Sequence, residues 1–279
     1  MPIEFSDVTL IVLGHGSTKN EQSSEPVYQH AKELRGRNLF AEVREAFWKQ
    51  EPLIKTVLAQ VSTHRVFIVP LFISEGYFSS DVIPRELGFA PGQSTLETRQ
   101  FTLVYCSPVG THDRMISVLM TRATEVASRF PFPRAPRPAE TALFIVGHGT
   151  EQNENSRKAI ERQVALVQAT NEYAEVHPAF LEEEPRIENC YKIAKARNII
   201  IVPFFISDGM HTQEDIPVLL GEPRRLVQER LAKGQPTWRN PTERHDKLVW
   251  YADAVGTEPH IADVVLDRVR EAADKQVTG

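Results

Sequence analysis

The chain contains twice a short apolar run that ends in Gly-His-Gly, as Leu10-Ile-Val-Leu-Gly14-His15-Gly16-Ser17 and as Ala142-Leu-Phe-Ile-Val-Gly147-His148-Gly149-Thr150. Aliphatic and β-branched runs of this length predict buried strands of a parallel sheet. Each histidine then follows the end of a strand, at the edge where open α/β sheets bind ligands. The next glycine permits a sharp turn, and Ser17 or Thr150 is suited to cap a following helix. The repeated stretch therefore predicts an α/β fold with two candidate functional histidines.

The remainder of the chain repeats in the same register, which indicates a tandem duplication. A spacing of 133 positions separates His15 from His148, Pro70 from Pro203 and Pro84 from Pro217. Further along, Val109-Gly-Thr111 and Val255-Gly-Thr257 lie 146 positions apart, so the second copy holds 13 extra residues. We place the extra residues within 222–247, as one helix and a surface loop.

Each copy alternates strands and helices, a pattern that predicts parallel strands joined by right-handed crossovers. About four strands are expected per copy, and in the first copy they cover residues 8–13, 41–47, 66–73 and 101–106. The proline-rich stretch between the copies is unsuited to helix or sheet. We therefore predict an N-terminal repeat at 1–130, a linker at 131–140 and a C-terminal repeat at 141–279.

The composition is typical of a globular protein with two domains, since 41% of the 279 residues are apolar. A formal net charge of −5 argues against nucleic acid or an anionic membrane as the main partner. The two cysteines, Cys106 and Cys190, cannot supply the four thiolates of a cubane iron–sulfur cluster. The stretch Met1-Pro-Ile-Glu-Phe-Ser-Asp7 lacks the basic n-region expected of a signal peptide, and no apolar stretch reaches the roughly 18 residues of a membrane span. These features predict a soluble protein of the reducing cytoplasm.

In the second copy, polar side chains follow three strands of the predicted sheet. His148 follows the first strand, Glu182-Glu183-Glu184 the second and His211 the third. The carboxyl ends of parallel strands meet at one edge, so we expect these groups to converge. Two imidazoles and a carboxylate suit Fe²⁺, Co²⁺, Ni²⁺ or Zn²⁺. Asp215 is expected to be the N-cap of the helix after His211, and Pro217 is expected to lie in its first turn. Taken singly, the acidic run is equally consistent with a solvated loop, but the conjunction favours a metal site.

The motifs around these residues resemble those of the CbiX and sirohydrochlorin chelatases, the class II chelatases of cobalamin and sirohaem synthesis. The resemblance lies in Phe180-Leu-Glu182 with Glu184-Pro185, and in Gly209-Met-His211-Thr-Gln-Glu-Asp-Ile-Pro217-Val-Leu-Leu220. It extends over both copies and implies two tandem flavodoxin-like halves, each a small parallel sheet flanked by helices. It also implies a lyase that inserts Co²⁺ or Fe²⁺ into sirohydrochlorin or a related tetrapyrrole held in the cleft between the halves.

The resemblance gives His148 and His211 the roles of binding the metal and receiving pyrrole protons. The assisting carboxylate is Glu182 or Glu184, because the family usually has one more residue before the proline. The first copy keeps His15, but Lys49 replaces Glu182 and Phe78 replaces His211, so we expect one active centre, in the second copy. The first copy is expected to bind substrate, with basic groups on the macrocycle carboxylates and aromatic rings on its face, through His15, Lys49, Tyr77, Phe78, Arg85 and Arg44.

Metal insertion needs neither a nucleophile nor a nucleotide, and the chain has no glycine-rich dinucleotide motif and no P-loop. The expected cofactor list is the divalent metal substrate alone, Co²⁺ or Fe²⁺, with Ni²⁺ or Zn²⁺ accepted in vitro. The expected partner is a tetrapyrrole, and the expected state is a monomer or homodimer. A non-catalytic metal or tetrapyrrole carrier or sensor of the same fold is the alternative function. A different metal-dependent lyase is a third.

Overall fold

A computed structural model of the chain describes residues 5–17, 23–149 and 154–278. It contains two five-stranded sheets with strand orders β2-β1-β3-β5-β4 and β7-β6-β8-β10-β9. The strands of the first sheet are β1 Phe5–Gly14, β2 Phe40–Phe47, β3 Arg65–Pro70, β4 Thr95–Glu97 and β5 Thr102–Tyr105. Those of the second sheet are β6 Thr141–Gly147, β7 Glu175–Phe180, β8 Asn198–Pro203, β9 Thr242–Arg244 and β10 Lys247–Tyr251.

Helices flank both sheets and connect their strands. In the described residues the α-helices are α1 Glu25–Gly36, α2 Ile54–Leu58, α3 Ile83–Glu86, α4 Met115–Arg129, α5 Glu154–Ala169, α6 Cys190–Ile193, α7 Ile216–Leu219, α8 Arg224–Ala232 and α9 Ile261–Thr278. Two π-helical turns, Phe78–Val82 and His211–Asp215, run directly into α3 and α7. This alternation of strands and helices is the predicted α/β architecture. In the described part of the chain, no helix combines the length and the apolar character that crossing a membrane requires.

Four strands of each sheet are parallel, as predicted, and the fifth is antiparallel. The edge strands β4 and β9 pair antiparallel with β5 and β10. The sequence analysis missed both, because three residues that include threonine and a charged side chain give no apolar run and no alternation. Helix α1 begins at Glu25 with Ser24 at its N-cap position, so Ser17 does not cap this helix. Its counterpart Thr150 lies outside the described residues.

The duplication is visible in the strand register. Gly14 of β1 lies opposite Phe47 of β2, and Gly147 of β6 lies opposite Phe180 of β7, 133 positions further on in each strand. The central strands are the most buried, and all seven residues of β6 are buried. The extra residues of the second copy form helix α8, as predicted. The segment after α8 is more than a surface loop, because Trp238 is 3% exposed and packs in the core.

The chain divides into two compact units whose boundaries differ from those of the sequence repeats. One unit comprises the residues up to Met115 together with those from Pro259 onwards, and the other comprises Ile116–Glu258. Helix α4, which closes the first repeat in sequence, therefore belongs with the second sheet. Helix α9, which closes the second repeat, belongs with the first sheet. The two repeats have exchanged their closing helices.

A buried arginine fixes each exchanged helix. Arg122 of α4 donates to the carbonyl of Ala254 at 3.0 Å and to the hydroxyl of Thr257 at 2.7 Å. Arg268 of α9 makes the same two bonds, at 3.1 and 2.7 Å, to residues 146 positions earlier than these, Pro108 and Thr111. Both arginine side chains are only 9% exposed. A buried guanidinium without such acceptors would be costly, so these bonds specify which turn each helix packs against.

Candidate functional site

His148 stands at the carboxyl end of β6, where the sequence predicts it. Its Nδ1 lies 2.8 Å from the carbonyl oxygen of Gly149. A carbonyl only accepts hydrogen bonds, so we assign the ring proton to Nδ1 and a free lone pair to Nε2. Gly149 has a φ of +68°, and a β-carbon there would lie 2.6 Å from Cγ of Glu183. The turn that presents His148 thus requires glycine.

His211 begins the π-helical turn that leads into α7, and its ring faces that of His148. The two ring centroids are 4.8 Å apart and the ring planes are 87° to each other. The predicted approach of the two imidazoles is confirmed. Nδ1 of His211 lies 2.8 Å from a carboxylate oxygen of Asp215, one turn further along. Asp215 precedes α7 but makes no capping bond with its side chain, so the prediction of a capping role is wrong.

The loop before His211 is attached to the segment that follows β10. The carboxylate of Asp208 accepts a hydrogen bond from the backbone N–H of Ala254 at 3.0 Å. Burial raises the pKa of the Asp208 carboxyl above its usual value. The hydroxyl of Tyr251 donates to the carbonyl of Thr212 at 2.6 Å, and burial raises the pKa of this phenol. These contacts hold the His211 turn in place from a neighbouring strand.

The three glutamates after β7 have different surroundings. Glu182 is 61% exposed, and its carboxylate lies 3.7 Å from Nδ1 of His148. Glu183 is 15% exposed and forms an ion pair of 2.9 Å with Arg157. Glu184 accepts a hydrogen bond from the backbone N–H of Arg186 at 3.1 Å. Arg157 also donates to the carbonyl of Glu184, so it binds both residues that follow Glu182. Among the three, Glu182 is the glutamate beside an imidazole.

The site therefore brings together His148, His211 and Glu182. No ion pair joins Glu184 to either imidazole within the described residues. No three His, Cys, Asp or Glu side chains in that part of the chain form a ready group of metal ligands. What the arrangement offers is two imidazoles at right angles, each with Nδ1 bonded to the protein, and one exposed carboxylate. Imidazole nitrogen suits first-row divalent metals from Fe²⁺ to Zn²⁺.

The equivalent position in the first unit has become an aromatic cluster. His15 keeps the bond from Nδ1 to the next carbonyl, Gly16, at 2.8 Å. Its ring centroid lies 5.2 Å from that of Trp48 and 5.6 Å from that of Phe78. The ammonium of Lys49 lies 4.3 Å from the Trp48 ring centroid, a cation–π distance. The sequence analysis named His15, Lys49 and Phe78 as substrate contacts but did not name Trp48. The position 133 residues later holds Leu181, so the sequence shows the ring at position 48 as a difference between the copies.

Other predicted substrate contacts differ in how available they are. Tyr77 is 61% exposed, and Arg85 is 65% exposed with Asp81 at 3.8 Å. Arg44 is paired with Glu42 at 2.6 Å and bonded to Gln60, so its guanidinium is already engaged. Met210, the counterpart of Tyr77, is 68% exposed beside His211 and was not recognised in the sequence. An exposed apolar residue thus precedes the π-helical turn in both copies.

Comparison with known proteins places the chain. The CbiX family model matches residues 9–126 and 142–272. A probable sirohydrochlorin cobaltochelatase of Halobacterium salinarum is 43% identical over 278 residues, which cover 94% of this chain and 91% of that protein. A sirohydrochlorin cobaltochelatase of Methanopyrus kandleri is 30% identical over 48% of this chain and 99% of its own length.

Among solved structures, a multi-domain protein of Deinococcus radiodurans, described as structurally similar to chelatases, matches with a TM-score of 0.76 and 26% identity. The match covers 96% of this chain and 55% of that protein, so the present chain spans about half of the Deinococcus protein.

Proposed function

Because this chain belongs to the CbiX family, we propose that it is a chelatase that inserts Co²⁺ or Fe²⁺ into sirohydrochlorin or a related tetrapyrrole. The observation that carries the proposal is the perpendicular pair of His148 and His211, 4.8 Å apart at one sheet edge. The probable sirohydrochlorin cobaltochelatase that is 43% identical over most of the chain supports the reaction class. The family resemblance expected from the sequence is confirmed.

The chemistry of metal insertion matches what these side chains offer. The ion must lose water ligands, and the macrocycle must lose two pyrrole protons as the metal–nitrogen bonds form. Neutral imidazole Nε2 is both a metal ligand and a base near neutral pH. His148 and His211 therefore bind the incoming ion and accept the protons once the macrocycle takes the metal. Glu182 is exposed beside His148 and passes protons to solvent. We assign the carboxylate role to Glu182 and not to Glu184, which is bonded to the backbone.

The ligand chemistry of the site narrows the choice of metal to first-row divalent ions. Imidazole and carboxylate together favour borderline ions, and affinity at such a site rises from Fe²⁺ through Co²⁺ to Ni²⁺. We propose Co²⁺ or Fe²⁺ as the physiological substrate and expect Ni²⁺ and Zn²⁺ to be accepted in vitro. The reaction would serve cobalamin or sirohaem synthesis. We further propose that the protein is cytoplasmic and is a monomer or homodimer. Light scattering measures the oligomeric state.

We assign macrocycle binding to the surface around the aromatic cluster of the first unit. Tyr77 and Phe78 provide exposed ring faces, and Lys49 and Arg85 provide cations for carboxylate groups. Aromatic faces stack on flat conjugated ligands, and cations pair with their acidic substituents. His15 lies within the cluster and lacks the second imidazole that His148 has, so it contacts substrate without capturing metal.

The proposal is tested by following the absorbance change on insertion of Co²⁺ or Fe²⁺ into sirohydrochlorin. We expect His148→Ala and His211→Ala to abolish acceleration and His15→Ala, the matched change in the first unit, to retain most of it. A carrier or sensor would bind the macrocycle or metal without accelerating insertion. Equal losses in His15→Ala and His148→Ala would overturn the assignment of a single metal centre to the second unit.

A further inference from the structure

The two imidazoles of the site have unequal partners. Nδ1 of His148 faces a neutral carbonyl, Gly149 O, at 2.8 Å, and the Glu182 carboxylate lies beyond hydrogen-bonding distance from it, at 3.7 Å. Nδ1 of His211 faces a carboxylate, Asp215 Oδ2, also at 2.8 Å. No lysine or arginine within the described ranges forms an ion pair with Asp215, whose side chain is 31% exposed. The carboxylate therefore has His211 as its charged or polar partner at the site.

A carboxylate behind a ligating histidine has a definite effect. It accepts the Nδ1 proton, so the lone pair lies on Nε2, and it restricts rotation of the ring. It also makes the imidazole a better donor to a cation than a carbonyl partner does. His148 obtains its tautomer from the backbone, whereas His211 depends on one side chain for it.

The first copy shows that Asp215 is not needed to build the turn. The residues 133 positions earlier than His211 and Asp215 are Phe78 and Val82, so ligand and carboxylate are absent together. The π-helical turn is nevertheless formed over the same five positions. Its opening hydrogen bond is unchanged, from Gln213 N to Gly209 O at 2.9 Å and from Ser80 N to Gly76 O at 2.9 Å. The carboxylate is present in the copy that has the imidazole, and it is not required to form the turn.

We infer that Asp215 is a positioning residue for metal insertion, which holds His211 with its Nε2 lone pair available to the incoming cation. The inference rests on the proposed chelatase function only for its kinetic consequence. Two of its consequences, the His211 tautomer and the affinity for Co²⁺, can be measured on the metal-free protein without the insertion reaction. The interaction is of the carboxylate–histidine–metal kind, whose loss costs about 10- to 100-fold in metal affinity or activity.

The test compares Asp215→Val, the residue that the first copy has, with Asp215→Asn, which still accepts the Nδ1 proton but is uncharged. We expect Asp215→Val to weaken Co²⁺ binding by about 10- to 100-fold and to move the ¹⁵N signals of His211 away from the Nδ1–H tautomer. Asp215→Asn should keep the tautomer and lose less affinity. The control is Glu214→Gln, because Glu214 pairs with Arg224 at 2.7 Å and not with the imidazole. Its Co²⁺ affinity should equal that of the wild type.

The outcomes separate the inference from the proposed function. Wild-type affinity and an unchanged His211 tautomer in a folded Asp215→Val protein would overturn the role of Asp215. If the wild-type protein failed to insert metal but Asp215→Val still changed the tautomer and Co²⁺ binding, the chelatase proposal would fail and the positioning role would stand. Circular dichroism and the melting temperature of each variant establish that the chain is folded.

Discussion

Replacing Gly256 by alanine should displace the loop that leads to His211. A β-carbon at this position would lie 1.8 Å from the carbonyl oxygen of Ile206 and 2.3 Å from its carbonyl carbon. Ordinary contact between such atoms needs somewhat more than 3 Å, so the two backbones must separate by about 1.5 Å. Gly256 N also donates to Phe205 O at 3.0 Å, a bond that the separation would stretch or break. Because Ile206 lies five residues before His211, part of this shift reaches the imidazole.

The size of the effect follows from the sensitivity of catalysis to position. A misplacement of about 1 Å at a reacting group lowers turnover about 100-fold. We therefore expect Gly256→Ala to reduce kcat for metal insertion by roughly 10- to 100-fold and to weaken Co²⁺ binding to the metal-free protein. Overpacking should also lower the free energy of unfolding by about 1–3 kcal/mol. Absorbance kinetics, Co²⁺ titration and urea unfolding measure the three quantities.

Gly110→Ala is the matched control, since a β-carbon there would lie 2.0 Å from the carbonyl oxygen of Ile73 in the first unit. The loss of stability should be similar, but the displaced loop leads to Phe78, so Co²⁺ affinity should not change. Equal Co²⁺ affinity in Gly256→Ala and Gly110→Ala, with both proteins folded, would refute the view that the backbone contact at Gly256 sets the position of His211.

Three other changes test separate parts of the account. Glu182→Gln should lower kcat at least tenfold because its carboxylate stands beside an imidazole, whereas Glu184→Gln should stay within about twofold; the reverse order would exchange their roles. Lys49→Met should raise KM for the macrocycle several-fold with little change in kcat, because it removes a cation that pairs with a macrocycle carboxylate. An equal rise of KM in the control Lys55→Met would show that the effect comes from the net charge of the protein and not from a contact at Lys49. Burial opposes ionisation of Glu175, but two backbone N–H groups and an imidazole hold its pKa below the usual value. Glu175→Gln should therefore destabilise the protein at pH 7, by a margin that shrinks as the pH falls below about 4; a margin that grew on acidification would contradict this sign.

The fold and the central pair of histidines were predictable from sequence for one physical reason. The apolar runs that end at His148 and near His211 are buried parallel strands, and the carboxyl ends of such strands meet at one edge. The partner of His211 was not predictable in the same way. Asp215 has the spacing and residue type of a helix cap, and only the π-helical turn places its carboxylate on the ring nitrogen.

The packing of the closing helices was equally hidden. The amphipathic sequence of a helix such as α4 indicates that one face is buried, but it does not indicate which sheet that face packs against. The structure shows which sheet α4 packs against, because it shows that Arg122 donates to Ala254 and Thr257. The sequence does not identify these acceptors. Short edge strands such as β4 escaped notice because three residues contain no period. For the closing helices, what the sequence could not supply was the choice of partner between segments far apart in the chain.

The exchange of closing helices affects when the first unit can fold and what happens when the chain is cleaved. The first sheet is complete by Tyr105, yet α9, the helix that packs against it, begins only at Ile261. The first unit therefore cannot reach its final packing until α9 has also left the ribosome. A protease cut in the proline-rich segment after α4 would, for the same reason, leave two fragments that each hold a helix the other requires. The nicked protein should migrate as one species until a denaturant separates it.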